Sequence, residues 1–230
     1  MKASLMRVVD LLSRFRFVPT RTIEAECFPN ATSSSRREMA RRALAELREN
    51  GLIESRLIFG RSPVHYLTES GAKAFDVEGG RGVGIRLAEY DHDLAVMRLY
   101  LTLRGNERVT TIMTEREIRS SGPDPASNEW TIPIVRSSGK EGYAWPDLVT
   151  VGDVGVWGHE VEWSAKNKQR LRRLMIAYGR SRHYDGGVYY YTDSTRAVVE
   201  SCATTANERL RDAGLGAQII TRPIETIESS

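Results

Sequence analysis

The chain has little cysteine, no long apolar run and no strong excess of either charge. Only Cys27 and Cys202 occur in its 230 residues, far apart in sequence. That excludes a disulfide framework and any CxxC zinc spacing. The longest purely apolar run is far short of the ~20 residues that a membrane helix needs. No long apolar core follows the first basic residue, so no secretory leader is expected, and the expected compartment is cytoplasmic. Net charge is only +3, from 33 basic and 30 acidic residues. Bulk charge therefore does not mark a nucleic-acid protein; the placement of the arginines has to. No internal repeat is evident. Residues 78–84 are glycine-rich, but they lack the full spacing of a dinucleotide fingerprint and follow no strand. They read as a linker.

Enough apolar sequence is present for a real core: 40% of residues are hydrophobic and 27% are charged. The length allows one large domain or two smaller ones. Residues 3–15 repeat Leu5, Val8, Val9, Leu11 and Leu12 at helical spacing. Val18-Pro19 breaks that helix, and Thr20 is the expected cap of a second one reaching Cys27. Ser33, Ser34 or Ser35 caps a third, ending at Asn50-Gly51, where one of the two takes a left-handed conformation. Residues 52–59 and 64–67 read as a hairpin, and Thr68 caps a short helix after it.

Helix, helix, helix, hairpin is the order of a winged helix-turn-helix. On the third helix, Ala40, Ala43, Leu44 and Leu47 face inward. At ~100° per residue, Ser34, Arg37, Arg41 and Arg48 share an adjacent stripe. Guanidinium groups on such a helix suit guanine edges and phosphates in the major groove. Arg36 joins them at the start of the helix, and Arg56 and Arg61 fall on the hairpin, where a wing meets DNA. Against this, Glu38, Glu46 and Glu49 sit within pairing distance of the arginines, as on an ordinary solvated helix.

The second half reads as an α/β unit. A helix spans 85–104 and a strand 109–113, followed by a long loop over 119–142 with a small strand at 130–135. Strands follow at 144–151 and 154–163, a basic helix at 165–178, a tyrosine-rich strand at 187–192, a helix at 196–213 and a last strand at 217–221. Two of these runs carry carboxylates where purely structural strands would have none. Glu160 and Glu162 project from one face, ~7 Å apart at their Cα atoms. If the two runs pair as a hairpin, Asp147 lies beside Glu160. Such oxygen donors suit Mg²⁺ or Mn²⁺. His92 reads as a hydrogen-bonded core residue, His159 and Cys202 as structural, and Tyr189, Tyr190 and Tyr191 as packing residues.

Pro146-Asp147 followed by Glu160-Val161-Glu162 resembles the PD-(D/E)xK nuclease superfamily. With the winged helix, the Tyr90-Asp91-His92-Asp93-Leu94-Ala95-Val96 segment and the 160–178 stretch, most of the chain is similar to the replication-relaxation family of plasmid and mobile-element proteins. The resemblance implies a winged helix-turn-helix over 1–77, the linker over 78–84, and a restriction-endonuclease-like core with a central mixed sheet over 85–230. It implies Glu89 as a further metal ligand beside Asp147 and Glu160. It also implies a lysine two residues after the second acid, but Glu162 or Ser164 stands there. Lys166 is the nearest substitute, on a stem long enough to aim its ammonium back. Active, the site cleaves DNA with Asp147, Glu160 or Glu162, Lys166 and Mg²⁺ or Mn²⁺. Degenerate, it leaves a sequence-specific binder of double-stranded DNA that regulates transcription or assembles a replication or transfer complex. A homodimer and replication or transfer proteins are the other expected partners. A protein-interaction adaptor is the third reading.

Overall fold

The computed structural model describes residues 3–58, 60–77, 85, 87–122, 124–135, 139–164, 167–216 and 218–225. The expected linker and Lys166 lie outside them. The chain divides into two compact units, Met1–Leu87 and Ala88–Ser230.

In the first unit, α1 (Ala3–Arg14), β1 (Val18–Pro19), α2 (Thr20–Cys27), α3 (Ser33–Glu49), β2 (Ile53–Arg56), β3 (Val64–Leu67) and α4 (Glu69–Ala74) follow in order. Helical spacing drives the packing. Leu5, Val8, Val9, Leu11 and Leu12 of α1 close on Ile23 and Cys27 of α2 and on Ala40, Ala43, Leu44 and Leu47 of α3. Each large side chain so buried contributes roughly 1.5–3 kcal/mol. Thr32, rather than one of the serines after it, caps α3 by accepting from the Ser35 amide. Thr20 caps nothing; it is the first residue of α2, and its hydroxyl serves the hairpin instead. Gly51 takes the left-handed conformation, with φ +66°. Thr68 caps α4 as expected. The break at Val18-Pro19 is itself a strand, so the sheet runs β1-β3-β2, all antiparallel.

His65 joins these parts. It is buried on β3 between the Thr20 hydroxyl on α2, at 2.9 Å, and the Ser55 hydroxyl on β2, at 2.7 Å. Burial, then the nearby charge of Arg48, lowers its pKa to about 4.

The second unit contains α5 (Leu87–Arg104), β4 (Val109–Thr114), α6 (Glu115–Ser121), β5 (Ile132–Val135), β6 (Glu141–Ala144), β7 (Leu148–Gly152), β8 (Gly155–Glu162), α7 (Lys168–Arg180), β9 (Gly186–Tyr191), α8 (Arg196–Asp212) and β10 (Gln218–Pro223). The main sheet is mixed, in the order β10-β9-β8-β7-β4. Strands β4, β7 and β8 are antiparallel neighbours, whereas β8, β9 and β10 are parallel. Helices α7 and α8 cover one sheet face with Leu171, Met175, Tyr178, Val199, Ala206 and Leu210. The long loop is more ordered than the sequence reading expected. Thr114 and Glu117 form a capping box that starts α6, and β5 and β6 pair as a separate hairpin.

His159 lies on the other sheet face, bonded to the Thr150 hydroxyl at 2.8 Å and stacked on Tyr190. Burial lowers its pKa to about 4. Both His65 and His159 therefore bind protons more weakly folded than unfolded. Their contribution is complete above pH 6.5 and is lost as pH falls toward 4. Denaturant titrations at stepped pH should show stability falling across that window, by up to about 3 kcal/mol per histidine. A flat midpoint from pH 7 to 4 would contradict this.

Candidate DNA interface and acidic strand pair

Helix α3 stands on its buried stripe and turns its remaining face to solvent. Ser34, Arg37, Arg41 and Arg48 are exposed there, as the spacing requires. Their engagements differ. Arg37 makes no hydrogen bond or ion pair among the described residues. Arg41 grips Glu38 with two bonds of 2.8 Å, and Arg42 adds a third of 2.6 Å. These bonds lower the Glu38 carboxyl to about 2. Arg48 folds back onto the Leu44 carbonyl. Arg36 is turned to the preceding loop, donating to the carbonyls of Ala31 and Pro29 at 2.9 and 2.7 Å. It fixes the turn between α2 and α3 rather than joining the exposed stripe. Arg56 and Arg61 are exposed on the hairpin, beside Leu57, which is 75% exposed. Glu54 accepts from the Tyr66 hydroxyl across that hairpin at 2.8 Å.

In the second unit, β7 and β8 pair with Leu148 opposite His159. Asp147 stands just before β7, and its carboxylate meets the Glu160-Val161-Glu162 run of β8 at the Val161 amide. Alternation then puts Glu160 and Glu162 on the face that α7 covers. Both are buried, at 4% and 1% exposure. The sequence reading left them open to a metal and water; the packing of α7 explains the difference. Gly158 and Gly187 leave room for the Tyr178 ring, since a Cβ on Gly158 would stand 2.0 Å from it. Seated there, Tyr178 donates its hydroxyl to Glu160 Oε1 at 2.7 Å. Burial first, then Glu160, Glu162 and Asp147, holds the Tyr189 phenol neutral. Three carboxylates thus act on one buried ring.

Asp147 is engaged from two sides. Its Oδ2 accepts the Val161 amide at 2.8 Å and His92 Nε2 at 3.2 Å. His92 Nδ1 lies 3.4 Å from Asp93. Burial opposes a charge on His92, but the bonds its ring makes to the carboxylates of Asp147 and Asp93 outweigh it and raise its pKa to about 10. Glu89 is half-buried in the first turn of α5. Among the described residues, no three His, Cys, Asp or Glu side chains are grouped to hold a metal ion. Asp147 is tied to the backbone of β8 at Val161, and Asp147, Glu160 and Glu89 are not grouped as a divalent-cation site among the described residues. His92, read from the sequence only as a hydrogen-bonded residue, is the group that meets Asp147. Its signal was the Asp91-His92-Asp93 run, which does not reveal a partner 55 positions away.

The first unit has the elements of a winged helix-turn-helix, and the second joins a mixed sheet to flanking helices. The sequence matches the replication-relaxation family over residues 9–185, most of the chain, and the protein belongs to that family. No curated protein matches it. A solved structure described as a transcriptional regulator of the MarR family from Silicibacter pomeroyi is 24% identical, covering 46% of this chain and 75% of that one, with a TM-score of 0.29. The fold reading therefore rests on the helices and strands of this chain.

Because the folded pKa of His92 lies above 6.5, its contribution is complete below pH 6.5 and fades as pH rises through 10. The His92 ring should remain doubly protonated at pH 8 by nitrogen NMR. His92→Ala should cost about 1.5–3 kcal/mol at neutral pH. A ring that titrates near 6.5 would contradict the pairing.

Proposed function

We propose that this protein binds double-stranded DNA in a sequence-specific manner through α3 and the β2–β3 hairpin. In this reading it serves a mobile element in transcription regulation, replication or DNA transfer. The observation that carries the reading is the exposed arginine face of α3, mounted on a three-helix core and followed by a hairpin with two more arginines. Arg37 reaches a base edge or phosphate directly. Arg41 reaches one after exchanging Glu38 for DNA, and that exchange disfavours nonspecific contact. Ser34 and Arg48 flank the face, while Arg56 and Arg61 meet the backbone or minor groove. Arg36 acts indirectly, by holding the turn that aims α3. A two-half-site target would call for a homodimer.

Arg37→Ala with Arg41→Ala should cost about 1–3 kcal/mol per base contact and flatten the preference for a selected site. Electrophoretic shift against selected and scrambled duplexes measures this. Unchanged preference would refute the assignment of α3.

A second reading, Mg²⁺- or Mn²⁺-dependent cleavage by Asp147, Glu160, Glu162 and Lys166, is favoured by one observation, the bond from the Val161 amide that holds the Asp147 carboxylate to the Glu160-Val161-Glu162 run. The burial of Glu160 and Glu162 and the His92 contact weigh against it. We therefore favour a nuclease-like domain that has left hydrolysis behind. Supercoiled plasmid incubated with either metal should stay intact. Nicking that disappears in an Asp147→Ala, Glu160→Ala variant would establish the enzyme instead.

A further inference from the structure

We infer that the second unit carries a separate binding surface for unpaired DNA, in the cleft between the β5–β6 hairpin and the C-terminal half of α7. The inference rests on the DNA-binding reading for its choice of polymer, and it assigns a second surface and a different strand state.

The cleft has a volume of about 670 Å³. Arg173 and Arg180 enter it from α7, Arg182 from the turn after that helix, and Arg209 from α8. Arg180, Arg182 and Arg209 are exposed, and none makes an ion pair or side-chain hydrogen bond among the described residues. Arg173 bonds only the neutral Gln169, at 3.3 Å. Arg37 on α3 is unengaged in the same way, but several other surface arginines are held by acids. Arg14 is paired with Asp10, Arg41 and Arg42 with Glu38, Arg119 with Glu115, and Arg196 with Glu200. Glu129 is the acid among the lining residues, against these four guanidinium groups and His183. Four like charges gathered around a single acid repel one another, and a polyanion relieves that repulsion.

The shape narrows the polyanion. Ile134, Ile176, Ala177 and half-buried Tyr143 supply an apolar wall beneath the arginines. A duplex presents phosphates on a convex surface and keeps its bases inside, so it leaves that wall unused. An unpaired strand offers both parts: phosphates for the guanidiniums, and base faces for the tyrosine and aliphatic side chains. The volume lies within the range of sites that enclose a small ligand, which is room for a short stretch of nucleotides rather than a helix. The four arginines come from α7, its following turn and α8, so the cleft depends on the packing of α8 against α7.

The test uses the full chain and two labelled probes, an oligothymidylate and a duplex containing a selected site, with fluorescence anisotropy over a salt series. The Arg180→Ala, Arg182→Ala, Arg209→Ala variant should lose about tenfold or more in affinity for the oligothymidylate, and its salt slope should shrink by about 2. Its duplex affinity should change by less than about threefold. The Arg37→Ala, Arg41→Ala variant should show the reverse pattern. The triple arginine-to-lysine variant should recover the salt slope, which a folding defect would not allow. Unchanged oligothymidylate binding in the alanine variant, equal losses on both probes, or a wild-type chain that ignores the oligothymidylate would each overturn the inference. If duplex binding persists in that last case, the α3 reading stands; if the oligothymidylate is bound and the duplex is not, the α3 reading falls instead.

Discussion

The hydroxyl of Tyr178, donated to Glu160 inside the core, organises the second unit. A buried carboxylate is costly unless it is hydrogen-bonded, and here the donor comes from the helix that buries it. The bond requires the Tyr178 ring to lie over Gly158 and Gly187, which sets how close α7 comes to the sheet. That placement has two consequences on opposite sides of the helix. Inward, it seals Glu160 and Glu162 from solvent. Outward, it holds Arg173 and Arg180 over the β5–β6 hairpin. The same contact that closes the acidic pair thus builds the basic cleft.

His65 plays a comparable part in the first unit. Its two ring nitrogens meet hydroxyls from α2 and β2, so one neutral imidazole ties the helical layer to the hairpin. The orientation of the hairpin relative to α3 is therefore set by a short polar chain inside the unit, and Arg36 sets the turn before α3 in a similar way. The groups proposed to touch DNA are left at the surface, and those that aim them are hydrogen-bonded within. Glu38 adds a restraint, because two of the arginines of α3 are occupied until a stronger anion competes.

Elements governed by local rules were legible in the sequence. Helical spacing marked α1 and α3, Asn50-Gly51 marked the end of α3, and Thr68 marked the start of α4. The antiparallel pairing of the two carboxylate-bearing runs stood in the sequence only as a condition, which β7 and β8 meet. Thr114 and Glu117 spell a capping box, so the start of α6 is legible locally, and the helix runs on into the expected loop at Arg119. What escaped depended on distant partners. The depth of Glu160 was not legible, because alternation tells which residues share a face but not what covers that face. The link between His92 and Asp147, and the meeting of Arg209 with α7, come from tertiary packing alone.

The account stands on α3 and its hairpin being the surface that meets duplex DNA. Hydrogen–deuterium exchange of the full chain, with and without a selected duplex, tests that surface directly. Protection concentrated in α3 and in β2–β3, with little change along β7 and β8, is the predicted result. Protection confined to the second unit, or none at all under conditions where the duplex is bound, would contradict it.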